Sequence, residues 1–153
     1  MQKVDTNELE KLLQGTHPEE FKEFTQQYKE SLALDERQFM LYFNERVKEK
    51  GLKKQDILLK ADIPQGYGYK LLTQEKTTKR RDIILRICYA AEFTLEETQR
   101  ALMLYHMGKL YARDQRDAML MICFNERPGG IIEVNELLMK HKLEPLRSSG
   151  VQE

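Results

Sequence analysis

The chain of 153 residues has no tryptophan, only two cysteines, and few helix-breaking residues, with eight glycines and four prolines. Because most glycines and prolines fall between periodic segments, their scarcity favours helices over strands. Both cysteines, Cys88 and Cys123, lie within apolar helical runs, which indicates buried free thiols. We therefore expect no disulfide and a core that forms without one.

Long apolar runs are also missing. None approaches the roughly 20 residues that span a bilayer. The N-terminus, MQKVDTNELEKLL, lacks the apolar core and the small-residue cleavage site of a signal peptide. We expect a cytoplasmic protein that makes no contact with a membrane.

Catalytic and metal-binding patterns are absent as well. The sequence has no glycine-rich phosphate loop, no HExxH and no nucleophile elbow. His17, His106 and His141 are scattered, and neither cysteine lies in a CxxC motif. The carboxylates are spread over helix-surface positions. These absences predict a protein that is not an enzyme and that uses no metal or cofactor.

The sequence does contain helical periodicity and helix caps. Phe21, Phe24, Tyr28 and Leu32 recur at spacings of three and four residues, which predicts one apolar helix face. Cap patterns predict further helix starts at Thr16 with Glu19, at Asp35 to Gln38, at Thr94 with Glu97, and at Asp114. No alternating strand pattern occurs, so we predict an all-α fold.

We predict four parts of the chain. Residues 1–35 form N-terminal helices, 36–91 a central domain, 92–146 a C-terminal helical region and 147–153 a flexible tail. Within the C-terminal region, the run from Ala118 to Phe124 is apolar enough to predict a buried helix.

Charge is distributed unevenly although the net charge is zero. Residues 1–45 carry five Lys/Arg and ten Asp/Glu, whereas 46–86 carry twelve and five, a net charge of +7. Residues 87–153 carry eight and ten. Such asymmetry indicates a partner of opposite charge for the central region.

The basic region contains residues 51–76, GLKKQDILLKADIPQGYGYKLLTQEK, which read as helix, tight turn, helix. Leu52, Ile57 and Leu71 fall at spacings expected for the core side, and Ile63 follows the turn and anchors it. Pro64 suits the start of the second helix because it has no N–H to leave unpaired. This pattern predicts a helix-turn-helix.

Residues 36–91 resemble the DNA-binding domain of the lambda-repressor/Cro (XRE) family of bacterial and phage regulators. Leu52, Ile57, Ile63 and Leu71 match its apolar positions. The resemblance implies a core of about five helices, flanked here by N-terminal helices and a C-terminal helical extension. It also places Lys54 where the family often touches phosphate and Gln65 where it often reaches a base edge.

Three residues depart from the family pattern. Leu58 replaces the usual Ala, Asp62 the usual Gly, and Gly68 the usual Val or Ile. We expect Leu58 and Gly68 to face each other, because a large side chain against a missing one conserves volume. Asp62 belongs to the few residue types that tolerate a left-handed turn.

The resemblance implies a sequence-specific transcriptional regulator. The helix from Pro64 to Thr73 would lie in the major groove of double-stranded DNA, and a dimer would match two half-sites. The candidates for reading bases are Gln65, Tyr67, Tyr69, Lys70 and Thr73. The candidates for contacting phosphates are Lys53, Lys54, Lys76, Lys79, Arg80 and Arg81.

Some of these residues have a second interpretation. Tyr67 and Tyr69 lie about 200° apart on an ideal helix and cannot both be core. Lys79 to Arg81 fit a solvated helix start as well as a phosphate clamp. The alternating charges of Arg113 to Asp117 predict capping and surface ion pairs, or else a contact site for a partner.

An alternative function is a protein-interaction module on the same fold that does not bind DNA. Gly66 and Gly68 each weaken the second helix by about 1 kcal/mol relative to alanine. The acidic N-terminal or C-terminal helices would then contact the protein partner.

Overall fold

The computed structural model describes residues 4–29 and 37–148. All regular elements in these two ranges are helical, which confirms the all-α class. The predicted helix start at Asp35 and the apolar position Leu32 lie outside the described residues. The α-helices are α1 (Thr6–Gln14), α2 (Phe21–Gln27), α3 (Gln38–Glu49), α4 (Lys54–Ala61), α5 (Gln65–Leu72), α6 (Arg81–Ala90), α7 (Leu95–Leu104), α8 (Gln115–Glu126) and α9 (Ile131–Lys140).

The chain divides into two compact units, with the boundary between Glu36 and Arg37. In the first unit a 3-10 turn over Pro18–Glu20 joins α1 to α2. The predicted cap at Thr16 is wrong, because its hydroxyl donates to the carbonyl of Leu12 at 2.7 Å. Instead, the carboxylate of Glu20 accepts a hydrogen bond from the backbone N–H of His17 at 3.0 Å.

The second unit is built around α6. Every residue from Ile83 to Ala90 is buried, because α4, α7 and α9 all pack against this helix. Helix α7 also packs against α3 and α8, and α8 packs against α9. Helices α7 to α9 therefore share one core with α3 to α6.

Helix α3 places its apolar face in this core. Phe39, Phe43 and Val47 are buried, and the ring of Phe39 meets the ring of Tyr105 edge-on at 4.7 Å. Helix α3 ends with Gly51 at a φ of 67°, and the N–H of Leu52 donates to the carbonyl of Val47 at 3.1 Å.

Helices α7 and α8 begin at the predicted caps. The Thr94 hydroxyl accepts from the N–H of Glu97 at 3.1 Å, and the Glu97 carboxylate accepts from the N–H of Thr94 at 2.9 Å. The Asp114 carboxylate accepts from the N–H of Asp117 at 2.8 Å. Helix α8 is less buried than expected, since Ile122 is 54% exposed.

Two crossed ion pairs join the start of α6 to the start of α8. Arg81 binds Asp117 with nitrogen–oxygen distances of 2.5 and 3.1 Å, and Arg116 binds Asp82 through two contacts of 3.0 Å. The charge alternation in Arg113 to Asp117 thus provides one cap and two internal pairs.

The segment after α9 is held against the same helices. The side chain of Leu146 is buried, and the N–H of Arg147 donates to Asp82 at 3.0 Å. The first residue of the predicted flexible tail is therefore anchored. Among the helices of residues 4–29 and 37–148, none combines the length and the apolar character that crossing a membrane requires.

Candidate nucleic-acid interface

The turn between α4 and α5 forms as its residues predict. Asp62 has φ 57° and ψ 51°, the left-handed conformation expected of it. The N–H of Ile63 donates to the carbonyl of Leu58 at 3.0 Å, and the Ile63 side chain is buried. Pro64 follows in extended conformation and precedes the first turn of α5. The two helices are thereby joined by a short, internally bonded turn.

Leu58 and Gly68 meet where α4 packs against α5. A Cβ built on Gly68 would lie 2.5 Å from Cδ2 and 2.7 Å from Cδ1 of Leu58. Both residues are buried. The expected exchange of volume between these positions is confirmed, and it fixes which side of α5 faces the core.

The opposite side of α5 faces solvent. Gly68, Leu71 and Leu72 are buried, whereas Gly66, Tyr69 and Lys70 are exposed. The helix contains no carboxylate. An anionic partner could therefore approach this face without meeting a negative side chain of α5.

Tyr69 and Lys70 are the most accessible of the five predicted base-reading residues. Tyr69 is 40% exposed. Tyr67 instead packs against the core, and the ammonium of Lys76 lies 5.7 Å from its ring centroid. The Thr73 hydroxyl donates to the carbonyl of Lys70 at 3.3 Å.

Gln65 is engaged inside the molecule. Its side-chain Nε2 donates to the carbonyl of Gln55 on α4 at 3.0 Å. Its Oε1 is buried and has no hydrogen-bond partner among the residues that the structure describes. This amide fastens the start of α5 to α4, and it would have to leave Gln55 before both of its polar atoms could read an adenine.

The predicted phosphate contacts differ in exposure. Lys53, Lys76 and Lys79 are exposed, whereas Lys54 and Arg80 are half-buried. Arg81 pairs with Asp117 and also donates to the carbonyl of Lys109 at 3.3 Å. A phosphate would have to compete with these internal acceptors for the Arg81 guanidinium.

Gly66 is the unexpected residue of the exposed face. It lies in the first turn of α5, and a Cβ built there would meet nothing within 4 Å. Its φ is not positive. Neither packing nor backbone conformation therefore requires a glycine at this position.

Burial makes the two thiols poor nucleophiles. It raises the pKa of Cys88 far above its ordinary value and also raises the pKa of Cys123. In residues 4–29 and 37–148, no group of three or more His, Cys, Asp and Glu side chains is arranged to hold a metal ion.

Comparisons of the chain with models of protein families, with curated proteins and with solved structures found no match.

Proposed function

We propose that the protein is a DNA-binding transcriptional regulator whose helix α5 enters the major groove. The observation that carries the proposal is the exposed face of Gly66, Tyr69 and Lys70, which lacks carboxylates and lies in the segment with a net charge of +7. A groove lined by phosphates favours an uncluttered, positively charged helix face of this kind.

Gly66 supports close approach of another molecule. A glycine in a helix costs up to about 1 kcal/mol relative to alanine, and Gly66 lies in the first turn of α5. Local choices that oppose the fold without a packing reason tend to occur at functional sites. A Cβ-free position on α5 would let a sugar-phosphate backbone or a base edge come within contact distance.

The proposed roles follow from accessibility. Tyr69 and Lys70 contact base edges, with Lys70 suited to guanine acceptors. Gln65 first holds α5 on α4 through Gln55 and reads a base only after releasing it. The other predicted cations, apart from the paired Arg81, position the duplex through its phosphates: Lys53, Lys54, Lys76, Lys79 and Arg80. The regulator would act as a homodimer, since two copies match two half-sites.

One observation favours the alternative function, a protein-interaction module that does not bind DNA. Leu59 on α4 and Ile132 on α9 are 73% and 71% exposed, and both line the same cleft. An exposed apolar rim of this kind fits a protein partner as well as a small molecule. The internal bonds of Gln65 and Arg81 also favour the interaction module, because they engage two side chains that were predicted to contact DNA.

A titration of random-sequence duplex DNA over a range of salt concentrations tests the proposal. A regulator is expected to bind weakly at low salt and to lose affinity steeply as salt rises, because bound phosphates release counterions. Binding to several phosphates gives a slope of log affinity against log salt of about −0.9 per phosphate. No binding at low salt would contradict the DNA-binding proposal and would favour the interaction module.

A further inference from the structure

A cleft of about 580 Å³ opens between α4, α6 and the start of α9. Its volume lies within the range of about 300–1,000 Å³ that is typical of small-molecule sites. Its walls combine basic, aromatic and apolar side chains, among them Leu59, Lys60, Arg86, Tyr89, Arg127 and Ile132. It lies wholly within the unit that begins at Arg37.

Arg86 is the buried cation of this cleft. The residue is 5% exposed, and its Nε and Nη1 donate to the carbonyls of Ala61 and Leu146 at 3.1 and 3.2 Å. Its Nη2 lies 4.0 Å from the carboxylate of Asp62, beyond hydrogen-bonding distance. Burial lowers the pKa of Arg86, and the charges of Asp62 and Asp82 oppose this shift without cancelling it.

The start of α9 adds a second positive element. Its N-cap residue, Gly130, has no side chain to bind the free amides of the first turn. The carboxylate of Glu133 accepts a hydrogen bond from the N–H of Gly130 at 3.0 Å. The Tyr89 hydroxyl donates to the carbonyl of Gly129 at 2.6 Å and fixes this turn beside the cleft.

The charges of the lining differ in burial: Arg86 is buried, whereas Lys60 and the carboxylates are exposed. The acidic residues of the lining, Asp62, Glu92 and Glu133, are all exposed, so solvent screens them. Arg86 is buried, and the field of a buried charge is screened much less. An anion is therefore favoured at the floor of the cleft, although the lining as a whole contains both signs.

We propose that this cleft binds a small organic anion that joins a carboxylate or phosphate group to an apolar ring or chain. The anionic group would bind Nη2 of Arg86 and the first-turn amides of α9. The apolar body would lie between Leu59 and Ile132, whose side chains are exposed. This site is separate from the exposed face of α5, and its test needs no DNA.

Isothermal titration calorimetry of the intact chain with simple probes tests the site. Phenylacetate and phenyl phosphate carry the two anionic groups on one ring, phenylacetamide is a neutral analogue, and inorganic phosphate lacks the apolar body. We expect one or both aromatic anions to bind at least tenfold more tightly than phenylacetamide and inorganic phosphate. Whichever aromatic anion binds more tightly identifies the anionic group.

Two matched variants locate the binding. Ile132→Glu places a carboxylate in the first turn of α9, where it suits the helix dipole and should not impair folding. We expect it to weaken the better aromatic anion at least tenfold. Ile122→Glu makes the same change at an exposed isoleucine of α8 outside the cleft lining, and it should leave the affinity unchanged.

Several results would overturn the site. Equal affinity for phenylacetate and phenylacetamide would show that the buried cation, Arg86, does not contribute to binding. Equal affinity for inorganic phosphate and phenyl phosphate would show that the apolar walls do not contribute to binding. Binding that survives Ile132→Glu, or no binding of any probe at 10 mM, a concentration at the weak end of protein–ligand affinities, would exclude the cleft as the site.

Discussion

The side chain of Leu58 fills the space that a Cβ on Gly68 would need, with Cδ2 only 2.5 Å from that position. The two residues lock α4 against α5 in one arrangement, because neither helix can turn without opening a void or a clash. The orientation of α5 follows from this contact, and with it the exposure of Gly66, Tyr69 and Lys70.

Gly68→Ala should destabilise the protein. The added methyl group must displace Leu58 within a packed core, and overpacking of this kind costs about 1–3 kcal/mol. Leu58→Ala alone should cost about 2–5 kcal/mol through the cavity that it leaves. The free energy of unfolding, measured in urea, should show that the double variant loses less stability than the sum of the two.

The comparison with Gly66 isolates the packing effect. Gly66→Ala adds the same methyl group to the same helix where nothing lies within 4 Å. It should stabilise the fold by up to about 1 kcal/mol. Equal effects of the two alanine substitutions would contradict the arrangement of α4 and α5.

Arg81→Ala should reduce stability by about 3 kcal/mol, because it leaves the buried carboxylate of Asp117 without its cation. Lys79→Ala, two residues earlier and exposed, should change stability by less than about 0.5 kcal/mol. Thermal unfolding of both variants at neutral pH makes the comparison. A marginal effect of Arg81→Ala would show that this arginine is free to bind an outside partner.

Acid should weaken the contact between α3 and α7 through Glu97. Burial disfavours the charge of this carboxylate, but hydrogen bonds from Lys50 and from the Thr94 N–H, with the charges of Lys50 and Arg46, lower its pKa overall. Because the pKa is lower in the folded chain, ionised Glu97 stabilises the fold above its unfolded pKa. This stabilisation is lost as the pH falls through the folded pKa.

Glu97→Gln measures this contribution. At pH 7 the variant should be less stable than the original chain by about 1.5–3 kcal/mol, the value of a hydrogen bond to a charged group. The difference should shrink as the pH is lowered below 4.5, the ordinary pKa of a glutamate. The exposed neighbour Glu96→Gln serves as control. A difference that stays constant down to pH 2 would assign the effect to packing instead of charge.

The thiols should be inert until the protein unfolds. Cys88 and Cys123 are both buried, and burial raises the pKa of each. Iodoacetamide should therefore modify neither thiol in the native protein at pH 8 and both in 6 M urea, as mass spectrometry can follow. Rapid modification of Cys88 in native buffer would contradict its burial in α6.

Local patterns predicted much of this fold. The caps at Thr94 and Asp114 and the left-handed Asp62 each depend on residues within one helical turn of one another. The Leu58–Gly68 contact was also predictable, since a short turn leaves two joined helices few ways to pack. Such features can be predicted from the sequence because the interacting residues are close to each other along the chain.

Interactions between distant segments were missed. The sequence places Arg81 in a solvated basic run, yet its guanidinium forms an ion pair with Asp117, thirty-six residues later. Gln65 reads as an exposed helix residue, yet its amide binds the backbone of α4. Backbone carbonyls and carboxylates brought close only by packing leave no periodic signal. The burial of Arg86 and the cleft beside it also depend on contacts between distant segments, so the sequence did not predict them.

The proposed DNA-binding face can be tested by exchanging charges at two matched lysines. Lys70 lies in the last turn of α5 and Lys140 in the last turn of α9, and both are exposed. Lys70→Glu replaces an attraction to phosphate or guanine by a repulsion, whereas Lys140→Glu makes the same change in net charge outside the proposed interface.

The most direct measurement is the affinity of the original chain, Lys70→Glu, Gly66→Ala and Lys140→Glu for duplex DNA at low salt, with folding verified for each. If α5 enters the groove, Lys70→Glu should weaken binding at least tenfold, since a charged contact to DNA is worth about 1–3 kcal/mol. Gly66→Ala should weaken binding although it stabilises the fold, and Lys140→Glu should bind nearly as the original chain does. Equal losses for Lys70→Glu and Lys140→Glu, or unchanged binding by Lys70→Glu and Gly66→Ala, would contradict the account.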